Sequence, residues 1–468
     1  MSISSFLRDN KGNMIMDLGE FIEIPTVLCE DDYSVSHPFG EQINIGLEWL
    51  LRKAESFDFK CRNFDGYAGE ITVGTGKIII GILGHEDVVS AGEGWNTEPF
   101  KSVVNDGKIY GRGSLDDKGP IISCLYVMKY LRDNDLIPAD YSIRMIIGAD
   151  EEVGWRCIDY YKEHVDALPD YSIVPDGNFP LIFCEKGLID FDMFANTNDN
   201  LEADIVVEEL NGGSGRNIVA GKAECTILCK DELLDKIADI LGKMQDISIK
   251  RLDDNRLAVI AVGKATHAMS PEKGKNAICI LLDAIWRLPY STSIMDFIDK
   301  FNKYVGTDYN AGRFGCRFED ELSGVTTLNI GTIGKNGKGI TMESNLRYPA
   351  SISFAEVDVA MKKTLDEAGF SYKAVSCLPS VYVDPESNFV KSLVKAYADN
   401  TGDYDSKPMA IGGATYARAI PNAVSFGPLF PYEEELAHEP NEYLSVDSFI
   451  KMTAIFSDAI EALMNLGE

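Results

Sequence analysis

The chain contains 468 residues, of which 45% are hydrophobic and 25% are charged, the usage of an ordinary globular protein. At roughly 100–200 residues per domain, this length predicts two to four domains. The 74 acidic residues outnumber the 44 basic ones and give a net charge of −30. This charge argues against nucleic-acid binding and against docking on an anionic membrane, because both need clustered cations.

The N-terminus and the cysteines indicate the compartment. The first 14 residues hold no apolar stretch followed by a cleavage site, and apolar runs such as 78–83 are far shorter than the roughly 20 residues of a membrane span. The ten cysteines are scattered without a CxxC pair, which favours buried thiols under reducing conditions. We therefore expect a cytoplasmic protein.

The first 190 residues alternate between predicted strands and helices. Short apolar runs at 77–83, 142–148 and 171–174 are typical of buried strands. A helical pattern opens at Gly119-Pro120, where proline is well tolerated because the first backbone N–H groups of a helix have no partner. This alternation predicts an α/β fold whose sheet is covered on both faces.

The middle of the chain has a different texture. Amphipathic helices are predicted at 232–244 and 276–288, and alternating strands at 258–262, 326–332 and 339–347, with Asn336-Gly337 as a hairpin signal. The α/β pattern returns with a helix at 389–400, a strand at 423–426 and a closing helix at 445–466. We therefore prefer one domain, 1–186 and 381–468, interrupted by an α+β insert at 187–380. The alternative is two independent domains in series.

Polar residues that can carry chemistry follow the predicted strands. Several also have an ordinary structural interpretation: an HxD pair can be a surface loop, an aspartate before a helix can be a capping residue, and three successive carboxylates can be a solvated loop. At a strand end, residues two apart point to the same side, so Asp87 could accept the second ring N–H of His85. The candidate groups are His85 and Asp87, Asp116 and Asp117, Glu151 and Glu152, Asp176, and His438.

The placement of these groups is more informative than any one of them. His85, the Glu151–Glu152 pair and Asp176 directly follow predicted buried strands, and ligands of open α/β sheets bind beyond the carboxyl ends of the strands. Histidine, aspartate and glutamate are suitable ligands for Zn²⁺. Two histidines and three carboxylates suit two ions about 3.5–4 Å apart that share one bridging carboxylate.

Five segments occur in a characteristic order: GHEDVV, YGRGSLDDKGP, GADEEVG, VPDGNFP and AHEPNEY. Together they resemble the di-zinc metallopeptidase family of aminoacylase, succinyl-diaminopimelate desuccinylase, carnosinase and carboxypeptidase G, and most of all its bacterial dipeptidases of the PepV type. The resemblance spans the whole chain. It implies a zinc-peptidase-like catalytic domain with a mixed, mostly parallel sheet, interrupted by an inserted lid domain.

The resemblance also implies a role for each group in the catalytic domain. His85 and His438 would each bind one metal ion, Asp116 would bridge both ions, and Glu152 and Asp176 would complete one ligand sphere each. Asp87 would orient His85. Glu151 would be the general base that takes a proton from the metal-bridging water, and Asp117 would not be a ligand. Two Zn²⁺ ions are expected, with Mn²⁺ or Co²⁺ suited to the same donors.

The insert and the late GGATYAR segment carry further matches. In THAMSPEKGKNA, His267 resembles the lid histidine that stabilises the oxyanion of the tetrahedral intermediate. Asn217 and Arg347 resemble lid residues that hold substrate. The resemblance makes Gly413, Tyr416 and Arg418 substrate-binding residues, because an arginine fork pairs well with the substrate carboxylate.

The chain departs from the family pattern at two positions, where Glu86 replaces an apolar or small polar residue and Ala414 replaces a glycine. The first adds charge near the site, and the second leaves the geometry of the glycine segment open. His37 and His164 match no motif and receive no role.

The resulting hypothesis is metal-dependent hydrolysis of dipeptides with a free N-terminus by a monomeric enzyme. The alternatives within enzymes are an N-acyl amino acid deacylase and a carnosinase-like Xaa-His dipeptidase, which the metal site does not distinguish. A metal-binding scaffold that has lost activity is disfavoured by Glu151, which has no duty as a ligand. An acidic Ca²⁺-binding protein is disfavoured by the two histidines, because Ca²⁺ prefers oxygen ligands.

Overall fold

The structure is a computed structural model that describes residues 1–197, 200–230, 232–337 and 339–466. The chain divides into two compact units. Unit 1 comprises Met1–Cys184, Tyr382–Met409 and Ala414–Glu468. Unit 2 comprises Glu185–Val381 and Ala410–Gly413, in the part of the chain where the sequence places the insert.

The chain first builds the amino-terminal part of unit 1, in which helices and strands alternate. In order, its elements are α1 (Ile3–Ile22), α2 (Glu41–Glu55), β1 (Lys60–Phe64), β2 (Ala68–Gly74), β3 (Ile78–His85), β4 (Val103–Asn105), β5 (Lys108–Tyr110), α3 (Lys118–Asp133), β6 (Tyr141–Gly148), α4 (Arg156–His164), β7 (Tyr171–Val174) and β8 (Ile182–Glu185).

Unit 2 follows as an eight-stranded antiparallel sheet, a separate two-stranded sheet and helices. Its elements are β9 (Gly187–Ala195), β10 (Ile205–Gly213), β11 (Lys222–Cys229), α5 (Leu234–Leu241), β12 (Ile247–Arg251), β13 (Arg256–Val262), α6 (Ala277–Trp286), α7 (Met295–Tyr304), β14 (Glu319–Asp320), β15 (Gly324–Val325), β16 (Thr327–Asn336), β17 (Gly339–Tyr348), α8 (Phe354–Ala368) and β18 (Ser371–Leu378). The strand order of the sheet is β12-β13-β11-β10-β16-β17-β9-β18.

The chain then returns to unit 1, except for Ala410–Gly413, which belong to unit 2. The remaining elements are β19 (Val381–Tyr382), α9 (Asn388–Thr401), β20 (Met409–Ile411), β21 (Ala423–Ser425), β22 (Tyr443–Ser445) and α10 (Val446–Leu463). Short 3₁₀ turns occur at Glu30–Asp32, Pro271–Lys273 and Tyr416–Arg418.

The main sheet of unit 1 is mixed, with the order β1-β2-β6-β3-β7-β21-β8-β19. The neighbours β6, β3, β7 and β21 run parallel, whereas β1, β2 and β6 pair antiparallel, as do β21 and β8. Strand β21 comes from the C-terminal part of the chain and lies inside this sheet. The structure therefore confirms the predicted mixed α/β fold, with its parallel pairs in the centre of the sheet.

Helices cover both faces of that sheet. On one face, α2 and α4 join an apolar cluster that includes Leu83 and Ile146. Gly84, the next residue of β3, faces α3, because a Cβ there would meet Ile121. Helix α3 packs in turn against α1 and α10. Successive residues of a strand point to opposite faces, so a run with no polar alternation needs this double cover.

The helix boundaries follow local chemistry. The Asn276 side chain accepts the backbone N–H groups of Ile278 and Cys279 and thereby caps α6, which the sequence predicts to begin there. Helix α8 begins with a reciprocal capping box between Ser353 and Glu356 and ends at Gly369 in the left-handed conformation (φ 70°). The predicted hairpin is present as the antiparallel pair β16–β17. Across the described residues, no helix combines the length and the apolar character that crossing a membrane requires.

Candidate metal centre

The parallel centre of the unit 1 sheet brings the candidate residues to one edge. His85 is the last residue of β3, the Glu151–Glu152 pair follows β6, and Asp176 follows β7. Strands β6 and β7 both pair with β3 in parallel, so their carboxyl ends meet. This is the edge at which open α/β sheets bind ligands.

Asp116 lies between the two histidines. Its Oδ1 is 3.0 Å from Nε2 of His85, and its Oδ2 is 3.1 Å from Nε2 of His438. A second carboxylate accompanies each histidine: Oδ2 of Asp176 is 3.7 Å from His85 Nε2, and Oε1 of Glu152 is 3.0 Å from His438 Nε2. The structure thus brings all five predicted metal ligands together within unit 1.

The donor atoms of this cluster fit metal ions. One ligand atom each from His85, Asp116 and Glu152 lie within 4.8 Å of one another. Within the described part of the chain, Nε2 of His85 and Oδ1 of Asp116 are buried, face each other at 3.0 Å and have no other hydrogen-bond partner. Buried polar atoms normally have several partners, so a buried imidazole nitrogen and a buried carboxylate oxygen that face only each other fit the donor set of a divalent cation.

The electrostatics of the cluster support the same conclusion. Burial raises the pKa of Asp176 to about 7, and burial also raises the pKa of Glu152 and, strongly, that of Glu151. Burial lowers the pKa of His438, but the hydrogen bonds of its ring to Asp116 and Glu152 outweigh this effect and raise that pKa to about 11. Negative charge is therefore crowded here, and protons or metal ions are needed to compensate it.

Asp87 does not act on His85 as the sequence suggests. The His85 ring Nδ1 lies 2.9 Å from the backbone carbonyl oxygen of Asp87, whereas the Asp87 carboxylate is 3.6 Å away. That carboxylate instead accepts the backbone N–H groups of Glu151 and Glu152, both at 3.0 Å. The carbonyl of residue 87 orients the imidazole, and its side chain holds the turn that carries the candidate base and one ligand.

Two further acidic residues lie beneath the cluster. Asp117 is buried, and its Oδ2 accepts the backbone N–H of His85 at 3.3 Å. Glu86 is fully buried against Gly46 of α2, and burial raises its pKa strongly although the Lys118 ammonium opposes this. The side chain of Glu86 therefore points into the core and adds no ligand to the site.

Tyr416 occupies a different position from the one expected of a substrate-binding residue. It is fully buried, its ring packs edge-on to His85 with the centroids 6.1 Å apart, and its hydroxyl lies 2.6 Å from Sγ of Cys157. The tyrosine therefore supports the histidine from behind, in the core. Arg418 follows in the same 3₁₀ turn and is partly exposed.

The predicted lid residues belong to unit 2. Asn217 and His267 are neighbours there, since the N–H of Ala268 donates to the Asn217 carbonyl at 2.8 Å, and both are exposed. Arg347 is buried, donates to Oδ1 of Asn345 at 3.0 Å, and also donates to the carbonyl of Gly412. Unit 2 therefore joins Arg347 to the glycine segment that contains Gly413.

Sequence reasoning gave no role to two residues that the structure connects to the site, Arg112 and Glu442. Both lie within the quoted segments YGRGSLDDKGP and AHEPNEY, so their position in a motif was the available signal. Their partners are backbone groups of distant loops, which a sequence pattern does not specify.

This fold and donor set are those of a metal-dependent peptidase, a class to which the comparisons with known proteins also lead. The chain matches the model of peptidase family M20/M25/M40 over residues 81–462 and belongs to that family. A protein of Bacillus subtilis (strain 168) named "Putative dipeptidase YtjP" is 34% identical over 458 residues, which cover 97% of each chain.

Two solved structures show that the fold extends over the whole length. The aminoacylhistidine dipeptidase from Vibrio alginolyticus is 18% identical, with a TM-score of 0.57 over 96% of this chain and 95% of that one. Human carnosine dipeptidase 1 is 13% identical, with a TM-score of 0.58 over 99% of this chain and 98% of that one. At these identities the likeness shows the fold alone.

Proposed function

We propose that the protein is a dipeptidase that uses two divalent metal ions to hydrolyse dipeptides with a free N-terminus. The observation that carries this proposal is the position of Asp116, whose two carboxylate oxygens face different histidines at 3.0 and 3.1 Å. One carboxylate between two imidazoles is the arrangement that a bridging ligand of a two-metal site needs.

The proposed ligand spheres follow from these contacts. His85, Asp116 and Asp176 would hold one ion, and His438, Asp116 and Glu152 would hold the other. Nitrogen and carboxylate donors suit Zn²⁺ best, and Mn²⁺ or Co²⁺ fit the same set. Two bound ions would supply Lewis acidity at the scissile carbonyl and lower the pKa of a shared water to about 7.

Glu151 is the proposed general base. Its carboxylate is not part of either ligand sphere, and its backbone N–H is held by Asp87 at 3.0 Å. Burial raises its pKa well above the ordinary value, which brings the group toward the working range of a base that must accept a proton and then release it. Glu151 would take the proton of the attacking water and return it to the leaving amine.

Substrate contacts are proposed from the family resemblance. His267 would donate to the oxyanion of the tetrahedral intermediate, Asn217 and Arg347 would hold the substrate, and Arg418 with Gly413 would receive its carboxylate. A carboxylate of the site, with Asp176 as the candidate, would face the substrate ammonium. We also propose a monomer, which light scattering after size exclusion would test.

The experiment is a substrate panel on the full chain after chelation. Zn²⁺, Mn²⁺ or Co²⁺ is added back, and free dipeptides, tripeptides, N-acetylated amino acids and Xaa-His dipeptides are compared by kcat/KM. We expect hydrolysis of free dipeptides only with metal present, and Asp116→Asn should abolish it. Preference for N-acetylated substrates would identify a deacylase, and activity confined to Xaa-His substrates would identify a carnosinase-like enzyme.

A further inference from the structure

Glu442 collects the backbone donors of the loop that carries Asp116. Its Oε1 accepts the N–H groups of Leu115 at 2.8 Å and Asp116 at 3.2 Å, and its Oε2 accepts the N–H of Gly113 at 3.0 Å. The side chain is fully buried. One carboxylate therefore fixes three peptide groups in the segment that ends at the candidate bridging ligand.

Arg112 links this carboxylate to the loop of the second histidine. Its Nη1 donates to Oε2 of Glu442 at 2.8 Å, and its Nη2 donates to the carbonyl of His438 at 3.1 Å. The guanidinium is buried, and its Cζ lies 5.3 Å from the Trp95 ring centroid. The rigid fork of an arginine is well suited to hold two acceptors at a set distance.

The backbone of His438 needs such support. Its φ of 67° lies in the left-handed region, which is strained for a non-glycine residue and persists where neighbouring contacts hold it. Arg112 binds the carbonyl of this residue directly. Glu442 follows His438 by four residues, so the same short segment is tied to the Asp116 loop at two points.

Burying this ion pair costs free energy of desolvation, which packing alone does not explain. Glu442 and Arg112 are both buried, and the Arg112 Nη1 donates to the Glu442 Oε2 at 2.8 Å. A well-packed apolar pair usually stabilises a core as well as a buried ion pair does. The network explains this cost if it fixes the positions of the two loops that carry the ligands. Residues hydrogen-bonded to metal ligands commonly have this role.

We propose that Arg112 and Glu442 are positioning residues that set the distance between Asp116 and His438, and hence the affinity for the metal ion held between them. This inference rests on the proposed two-metal function, and it assigns these residues no contact with substrate. It predicts that disturbing the network weakens the ion at His438 more than the other ion. Asp116 is shared by both ions, but His438 would bind only one of them, and His85 and Asp176 lie outside the network.

The test is a metal titration of Glu442→Gln in the full chain. Glutamine keeps the shape of the side chain but replaces one acceptor oxygen by an NH₂ group, so some of the N–H groups lose their partner. We expect one of the two Zn²⁺ dissociation constants to rise by about 10- to 100-fold while the other stays near its wild-type value. Co²⁺ absorption spectra supply a second readout, since an altered ligand geometry changes the d–d bands.

The matched control is Asp17→Asn. Asp17 is also fully buried in unit 1, where its Oδ1 pairs with the Lys53 ammonium at 2.5 Å and its Oδ2 accepts the Tyr126 hydroxyl at 2.7 Å, and it is not among the contacts given for the proposed ligands. We expect this variant to lower the melting temperature and to leave both metal affinities unchanged. A second test variant, Arg112→Lys, keeps the positive charge but reaches only one acceptor, and we expect it to weaken the same ion by about 10-fold. It decides the question if Glu442→Gln does not fold.

The outcomes separate the two proposals. Wild-type protein that binds fewer than two ions, or binds two and hydrolyses no dipeptide, contradicts the proposed function. If the wild-type protein binds two ions and hydrolyses dipeptides, the proposed function stands. If Glu442→Gln and Arg112→Lys then retain both metal affinities and the wild-type Co²⁺ spectrum, only the positioning role is overturned. The positioning role would also be overturned if the variants lowered the affinity for both ions equally, or if Asp17→Asn lowered it as much. The network would then only stabilise the fold.

Discussion

The Oδ1 of Asp87 accepts the backbone N–H of Glu151 at 3.0 Å, and the Oδ2 of the same carboxylate accepts the backbone N–H of Glu152 at 3.0 Å. A side chain two residues beyond the end of β3 thus holds the turn that follows β6. The proposed base and one proposed ligand are adjacent in this turn, so its position affects both proton transfer and metal binding.

Asp87→Asn tests this relationship. The amide keeps only one acceptor oxygen, so one of the two N–H groups in the turn loses its partner. We expect kcat at saturating metal to fall by about 10- to 100-fold, measured by steady-state kinetics with metal analysis. Asp170→Asn is the control, because Asp170 holds the opposite end of β3 through the N–H of Ile79 at 2.8 Å. Unchanged kcat in Asp87→Asn would contradict the assignment.

Glu151→Ala separates the base from the ligands. We expect this variant to bind both metal ions and to lose about 10²- to 10⁴-fold in kcat, because general-base catalysis is removed while the ligand spheres remain. Glu152→Ala, its neighbour, should lose affinity for metal as well as turnover. Metal content of the purified variants is measured beside their kinetics. Glu151→Ala with nearly full turnover would remove this residue from its proposed role.

His267→Ala tests the contribution of unit 2. If His267 donates to the oxyanion, kcat should fall by about 10²- to 10³-fold with unchanged metal content. His164→Ala is a suitable comparison, since that histidine stacks on Tyr160 with ring centroids 3.9 Å apart and matches no motif. Equal activity of the two variants would mean that the oxyanion has another donor.

The stabilisation by metal should depend on pH. The folded, metal-free protein holds protons that the unfolded chain releases, because the pKa of Asp176 is raised to about 7 and that of His438 to about 11. Its free energy of unfolding therefore falls as pH rises from about 4 upward. Bound metal replaces these protons. The gap in melting temperature between Zn²⁺-loaded and chelated protein should widen from pH 5 to pH 8 in calorimetric scans; a gap that narrows over this range would contradict the charge balance described here.

Two glycines of neighbouring helices should respond oppositely to alanine. Gly46 in α2 is buried, and a Cβ there would overlap the side chains of Glu86 and Thr26, so Gly46→Ala should destabilise by about 1–3 kcal/mol. Gly12 in α1 has open space around it, so Gly12→Ala should stabilise by about 0.5–1 kcal/mol through helix propensity. Chemical denaturation of both variants measures the two changes, and equal signs would show that the packing beneath Glu86 is not as described.

Much of unit 1 is readable from the sequence because its central strands are largely apolar runs. Runs 77–83 and 142–148 predict β3 and β6 within two residues, and Gly119-Pro120 places the start of α3 within two. The ligands at the strand ends follow from that topology. What sequence spacing does not specify is which atom meets which: it places Asp87 on the His85 side of the strand but cannot distinguish its carboxylate from its carbonyl.

The C-terminal part of the site is harder to predict for a related reason. Glu442 acts on the N–H groups of Gly113, Leu115 and Asp116, and main-chain partners leave no signature in residue types. Tyr416 looks like part of a binding segment because it sits beside Arg418, yet its side chain turns into the core. Local sequence does not reveal that inward turn.

The position of β21 between β7 and β8 has a consequence for how the protein is made. On the ribosome, a chain that has emerged as far as Gly413 contains all of unit 2 and the residues His85, Asp116, Glu152 and Asp176. It still lacks the strand that fills the sheet and the histidine that would complete the second ion's ligands. Under the proposed function, the nascent protein therefore gains its complete set of metal ligands only after the residues that carry β21 and His438 have emerged and β21 has joined the sheet.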